Sequence, residues 1–338
     1  MNSPSISRKQ FLLGAGAAGA VGLCAPRAYA RRPKVIKFGF ADHDNPITWN
    51  AALAGKRIEE ETKGRIKLEV FPSNELGNDE HMLSGVRTGA IEMMAVNDSI
   101  LSGLVPEAAV DAVGFAFKDS NMAWQALDGK VGEVVSGQIA KHGLYPMRRI
   151  WDEGFREITT SNRPIKSPAD LKGFKIRVPP SPILVSLFDH LSAAATAMNV
   201  SALYSALQTK VVDGQENPLG IIESQKFYQV QKYCSLTNHA WSGFWIVAGD
   251  PFWKSISADD QKIIETAFND LAPKQRSEMK KINDTMQTKL AQQGMVFNTP
   301  DQGPFREVLK SSGFYSMWKQ KLGDDVWSAL EQYTGALA

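Results

Sequence analysis

Leu171-Lys-Gly-Phe-Lys-Ile-Arg177-Val-Pro-Pro180 is the stretch on which the reading of this chain turns. Lys175 to Val178 alternates polar and apolar side chains, the period of a strand. Pro179-Pro180 ends that strand, because proline has no N–H for a sheet ladder. Arg177 therefore falls near the carboxyl end of a strand, where open α/β sheets bind their ligands. A guanidinium there suits a two-point grip on a carboxylate. For the residue alone the other reading, a structural ion pair, is the commoner one. Upstream, strand-like segments at 35–40, 66–71 and 91–96 alternate with helical spacing over 48–62 and 79–88. That alternation predicts parallel α/β packing.

Two more polar groups stand in apolar surroundings, Arg156 and Asn217. Arg156 lies in Gly154-Phe-Arg156-Glu-Ile-Thr-Thr-Ser-Asn-Arg-Pro-Ile165, and Asn217 in Val212-Asp-Gly-Gln-Glu-Asn-Pro218. Leu203-Tyr-Ser-Ala-Leu-Gln-Thr209 and Lys226-Phe-Tyr-Gln-Val-Gln-Lys232 complete an ordered, closely spaced set. With these motifs the chain resembles, from about Val35 to past Gly313, the DctP-type solute-binding protein of a tripartite ATP-independent periplasmic (TRAP) transporter. The resemblance implies a type II-like periplasmic binding protein, two hinged α/β lobes that close over a small organic acid. It implies that Arg177 clamps the ligand carboxylate, that Arg156 also contacts ligand and that Asn217 completes the carboxylate site. It further implies a membrane permease of one small and one large subunit as partner, driven by an ion gradient. Two positions depart from the family's sialic-acid binders: Val200 replaces an aromatic ring and Asn97 replaces a strand-end glutamate. Both bear on which acid fits, and neither touches the clamp.

The first 30 residues read as an export signal rather than as fold. Arg8-Lys9 gives a basic start, an apolar run follows from Phe11 to Cys24, and Ala28-Tyr-Ala30 fits a cleavage site. The expected destination is the periplasm. Gly14-Ala-Gly-Ala-Ala-Gly19 matches a dinucleotide fingerprint only in letters, since no strand precedes it. The whole chain carries 38 basic and 36 acidic residues; loss of Arg8, Lys9 and Arg27 leaves 35 against 36, a net of −1. Such a balance argues against a nucleic-acid partner. Cys234 is then the single cysteine, which excludes an internal disulfide and suggests buried packing.

Nothing points to catalysis. There is no G-x-S-x-G elbow and no cysteine with a convincing histidine motif. The five histidines show no paired metal spacing. No cofactor, no metal and no enzymatic activity are therefore expected. The alternatives kept beside transport are an exported enzyme anchoring an acid on Arg177 and an extracytoplasmic sensor module. Three further residues are candidates for ligand contact. His43 follows the first strand and is either a hydrogen-bond partner or a solvated loop residue. Asn97 ends a strand and either meets ligand or caps the next turn. Trp241 lies where the chain crosses between lobes, a setting that favours ligands. Lobe I is expected from 31–152 plus about 243–282, and lobe II from 153–242 plus about 283–338. A long periodic run over 259–293 predicts a helix spanning both.

Overall fold

The computed structural model describes residues 32–42 and 45–337. The predicted export signal and His43 lie outside the described residues. The strands are β1 (Lys34–Gly39), β2 (Ile66–Phe71), β3 (Met93–Asn97), β4 (Leu144–Pro146), β5 (Trp151–Phe155) and β6 (Glu157–Thr160). After them come β7 (Lys175–Val178), β8 (Ala194–Ala197), β9 (Gly214–Asn217), β10 (Tyr233–Ser235), β11 (Trp241–Gly249) and β12 (Val296–Asn298). One six-stranded sheet has the order β2-β1-β3-β11-β4, with β5 also paired to β11. The other has the order β12-β10-β6-β9-β7-β8. The mixed α/β class expected from the alternation of strands and helices is the class observed.

Local chemistry sets the helices of the first sheet. Asn45 accepts a hydrogen bond from the Ile47 amide at 2.9 Å, and Pro46 opens helix Pro46–Glu61 where its missing N–H costs nothing. That helix buries Ile47, Ala51, Ala54 and Ile58, an apolar stripe at helical spacing. Helix Asp79–Thr88 starts on the Asn78 side chain and stops at Gly89, whose φ of 84° is the left-handed cap that glycine adopts freely. These two helices connect the parallel strands β1, β2 and β3. β11 is buried along its whole length because both faces of the sheet are covered. Its alternate residues serve two different cores: Phe244, Ile246 and Ala248 pack with helix Pro46–Glu61, while Trp241, Trp245 and Val247 pack on the other side.

The chain changes sheets at two neighbouring places. Arg156 is the single residue between β5 of the first sheet and β6 of the second. The return runs from β10 to β11. The two passages touch, with the Arg156 amide donating to the Ala240 carbonyl at 2.9 Å. The sheet changes thus fall a few residues away from the boundaries expected at 152/153 and 242/243. Helix Ala258–Gln292 is the expected long element, about 50 Å at 1.5 Å per residue. Its Ile264, Phe268 and Met279 join the core of the first sheet, and its Met286 and Leu290 the core of the second.

One arrangement differs from the expected division. The closing helix Asp324–Thr334, assigned to lobe II by its place in the chain, packs on helices Ser120–Asp128 and Lys130–Ala140 beside the first sheet. Its Trp327 and Leu330 share a core with Val131 and Val135. That core continues across to Ile176 and Val178 of β7, so apolar contact links the two sheets. Burial of each such side chain contributes ~1.5–3 kcal/mol. Cys234 is buried and free, as packing required. No helix among the described residues is long and apolar enough to cross a membrane.

Candidate ligand-binding site

Side chains from both sheets meet in one cleft of about 450 Å³, its mouth included. Arg177 reaches it from β7, Asn217 from the end of β9, and Arg156 from the passage between sheets. Asn97 enters from the end of β3, and Phe244 from β11. Four of the sequence-predicted residues, Arg156, Arg177, Asn217 and Asn97, therefore share one wall-to-wall space. Val200 lines it as well. A larger cavity beside Trp124, Asp152 and Asn283 holds none of them.

The two arginines sit in different electrostatic settings. Each is 2 % exposed. The Arg156 Nε donates to Glu216 Oε2 at 2.5 Å, and its Nη2 to Glu216 Oε1 at 3.1 Å. The same Nη2 donates to Asn217 Oδ1 at 3.2 Å, and Nη1 to Ser242 Oγ at 3.2 Å. Glu153 Oε2 lies 3.7 Å from Nη1. Burial works against the Arg156 charge, but Glu216 overcomes it and raises the pKa further. Burial likewise opposes the Glu216 charge, and Arg156 with His239 overcomes that too, holding the carboxyl below its usual range. His239 Nε2 stands 3.0 Å from Glu216 Oε2. Arg156 is thus a neutralised cation within its own protein.

Arg177 is not. Its Nε donates to the Met198 carbonyl at 2.8 Å, and it forms no ion pair among the described residues. Burial pushes its pKa down to about 9, against the opposing pull of the Glu216 and Asp79 carboxylates, and the Arg156 charge pushes the same way as burial. A buried cation in this state is one that an incoming anion relieves.

Asn97 caps the next turn, one of its two expected roles, and also lines the cleft. Its Oδ1 accepts from the Ser99 amide at 3.1 Å, capping the next turn, while its side chain faces the cleft. Its Nδ2 donates to Glu153 Oε2 at 2.9 Å and to Ser242 Oγ at 3.0 Å. Trp241 is placed otherwise. Its indole packs in the apolar core with Trp245 and does not line the cleft. Strand parity accounts for this: Phe244 faces the cleft, and Trp241 belongs to the opposite face. His43 lies outside the described residues, although Ala41 and Asp42 just before it line the cleft.

Sequence reasoning missed the acidic part of the lining. Asp42, Asp79 and Glu153 all face the cleft and are buried. Burial raises Asp42 well above the usual carboxylate range, with Glu153 adding to the effect. Burial likewise raises Asp79 to about 6 and Glu153 to about 7, each lowered somewhat by a nearby arginine. Asn199 was also missed; its Nδ2 donates to Glu80 Oε2 at 2.9 Å and its Oδ1 is buried without a partner. Glu153 stood three residues before Arg156 and was legible as a neighbour. Asp79 and Asn199 come from distant helix starts that no local pattern ties to Arg177.

The profile of the bacterial extracellular solute-binding proteins of family 7, DctP, matches residues 39–318. The chain belongs to this family. Its members are transport proteins that bind solutes, not enzymes. Among relatives, the 2,3-diketo-L-gulonate-binding periplasmic protein YiaO of Escherichia coli is 34% identical over 259 residues, covering 75% of this chain and 78% of its own. The crystal structure of the sugar acid binding protein DctPAm from Advenella mimigardefordensis in complex with galactonate aligns with a TM-score of 0.84 at 29% identity, covering 89% of this chain and 98% of that one. A TRAP periplasmic solute-binding protein from Sulfurospirillum deleyianum with bound succinate aligns with a TM-score of 0.82 at 26% identity, over 88% and 98% of the two chains. The DctP family thus spans hydroxylated acids and dicarboxylates on one fold.

Proposed function

We propose that this DctP-family chain is the periplasmic component of a TRAP transporter that captures a small organic acid anion and delivers it to the membrane permease. The observation that carries this reading is the contrast between the arginines: Arg156 is neutralised by Glu216, whereas Arg177 is buried with no acidic ion-pair partner among the described residues. The ligand carboxylate supplies the missing anion through two parallel hydrogen bonds to the Arg177 guanidinium. Asn217, held by Arg156 and Gln215, orients that carboxylate from the side. Arg156 contributes field and scaffold more than a free charge. Closure of the two lobes around the ligand removes water and strengthens these contacts. Ligand shifts the open–closed balance by binding the closed form better, and the closed form is what the two permease subunits receive.

The test is isothermal calorimetry of the mature protein against a panel of organic acids, with Arg177→Ala beside it. Losing one partner of a buried charge-assisted bond costs ~2–5 kcal/mol. An Arg177→Ala protein that keeps full affinity would remove Arg177 from the role. Uptake into proteoliposomes holding both permease subunits, with and without this chain, tests delivery. No uptake difference would leave binding without transport.

A further inference from the structure

A second cavity lies on the far side of the passage from β5 to β6. It measures about 950 Å³, its mouth included. Glu153 and Arg156 turn toward the ligand cleft, while Asp152, Gly154 and Glu157 of the same passage line this other space. Leu236 and Asn238 line it from the return passage. Trp124 reaches it from beside the first sheet, Leu219 from the end of β9 in the second, and Asn283 from the long helix. We infer that this cavity is a second binding site, for a small alkylammonium ion, and that its occupation favours the closed form of the ligand cleft. Binding there is independent of Arg177; the coupling rests on the lobes closing as proposed.

The polar groups fix the sign of the ligand's charge. Asp152 and Glu157 are 1 % and 4 % exposed. Asp152 Oδ1 is buried without a hydrogen-bond partner, and so is Asn283 Oδ1. The Asn283 amide is held from its other end, Nδ2 donating to the Glu153 carbonyl at 3.3 Å, which leaves the oxygen as an open acceptor. Glu157 Oε2 accepts from the Asn238 amide at 2.9 Å. The Trp124 indole N–H lies near the Asp152 carboxyl but completes no hydrogen bond with it. Lys280 is the one basic residue on this lining among the described residues, and Asp284 takes its ammonium at 2.7 Å. An anion therefore finds no free cation here. A cation carrying N–H donors finds two buried carboxyls and an amide oxygen. Burial raises Asp152 to about 7, with Arg276 opposing it, and Glu157 to about 8. A cation between them removes part of that desolvation cost.

The apolar lining fixes the ligand's body. Trp124, Phe155, Leu219 and Leu236 place carbon surface beside the carboxyls. That mixture suits an ammonium head on a short alkyl chain. A hydrated metal ion needs a shell of oxygens instead, and no group of three or more His, Cys, Asp or Glu among the described residues could hold one.

Position gives occupation its consequence. The passage from β5 to β6 stands between the ligand cleft and this cavity. Rotation about it that narrows one space widens the other. A molecule lodged behind the passage resists narrowing there, and so prefers the form in which the cleft is shut. Such a preference is what shifts a conformational balance.

The test uses the mature chain with n-butylammonium chloride, 1-butanol and sodium chloride, the two salts at matched ionic strength. Calorimetry should show one saturable site for n-butylammonium and none for 1-butanol or sodium. Asp152→Asn keeps the shape and removes the charge, and should weaken n-butylammonium about tenfold or more. Asn121→Trp, at an exposed position on the lining, should obstruct the cavity and carries the question if Asp152→Asn does not fold. No saturable binding, equal binding of 1-butanol, or unchanged affinity in either folded variant would overturn the site. X-ray scattering reads the coupling: with no organic acid present, n-butylammonium should lower the radius of gyration. Binding without that change overturns the coupling alone if an acid from the panel does lower the radius. A radius that neither compound changes overturns the coupling together with the closing of the lobes.

Discussion

At the scale of single residues, the site is a problem of who neutralises whom. Glu216 sits inside the Asp-Gly-Gln-Glu-Asn-Pro run and was legible as part of a motif, but not as the counter-ion of Arg156. That pairing joins residues 60 positions apart, and only the β6–β9 register makes them neighbours. Glu216→Gln should therefore behave as a stability variant. It leaves a fully buried guanidinium without its charge and should cost ~3–5 kcal/mol in urea denaturation. A change under ~1 kcal/mol would show that Ser242 and Asn217 suffice to hold Arg156. Arg177→Lys makes the complementary case. It keeps the charge but loses the planar fork, so ligand affinity should fall by about tenfold or more while the melting temperature of the free protein holds. Arg177 and Asn217 were readable because their surroundings are local: a strand, a proline stop and a tight turn. Trp241 was misplaced because proximity to a crossing says nothing about which face of a strand a side chain takes.

Among the elements, the passage from β5 to β6 carries the most constraint per residue. Gly154 in β5 has φ of 118°, and a Cβ there would meet the Asn283 Nδ2 of the long helix at 2.6 Å. Gly154→Ala should destabilise the fold by ~1–3 kcal/mol through backbone strain alone, read as a shift in denaturation midpoint. An unshifted midpoint would mean that β5 relaxes and releases Asn283. The strands and the long helix were legible because their periods are intrinsic to the sequence. The packing partner of Asp324–Thr334 was not, since an apolar stripe specifies burial without naming the surface that provides it.

For the whole molecule, buried carboxyls set the pH response. Burial lifts Asp79 to about 6, Asp152 and Glu153 to about 7 and Glu157 to about 8. Their unfolded values sit near 4, so the folded state binds more protons through that window. The stabilisation is fully present below the unfolded values and is lost as pH rises toward about 8. Glu216 runs the other way and withdraws stability below its ordinary range. Thermal unfolding of ligand-free protein should therefore peak on the acid side of neutrality and decline toward pH 8. A melting temperature that climbs from pH 5 to 8 would contradict the burial of those four groups. An organic acid that binds, at a hundred times its dissociation constant, should add ~2.7 kcal/mol and raise the melting temperature by several degrees.

The amide link from Arg156 to Ala240 has a mechanical meaning of its own. It clips the two interlobe ribbons side by side at the very residue whose side chain is bolted to Glu216. If the lobes close on ligand as proposed, this joint is the natural pivot, and displacement should grow with distance from it. Spin labels placed far out on the rims should report large ligand-dependent changes in separation, and labels flanking residues 156 and 240 should stay nearly still.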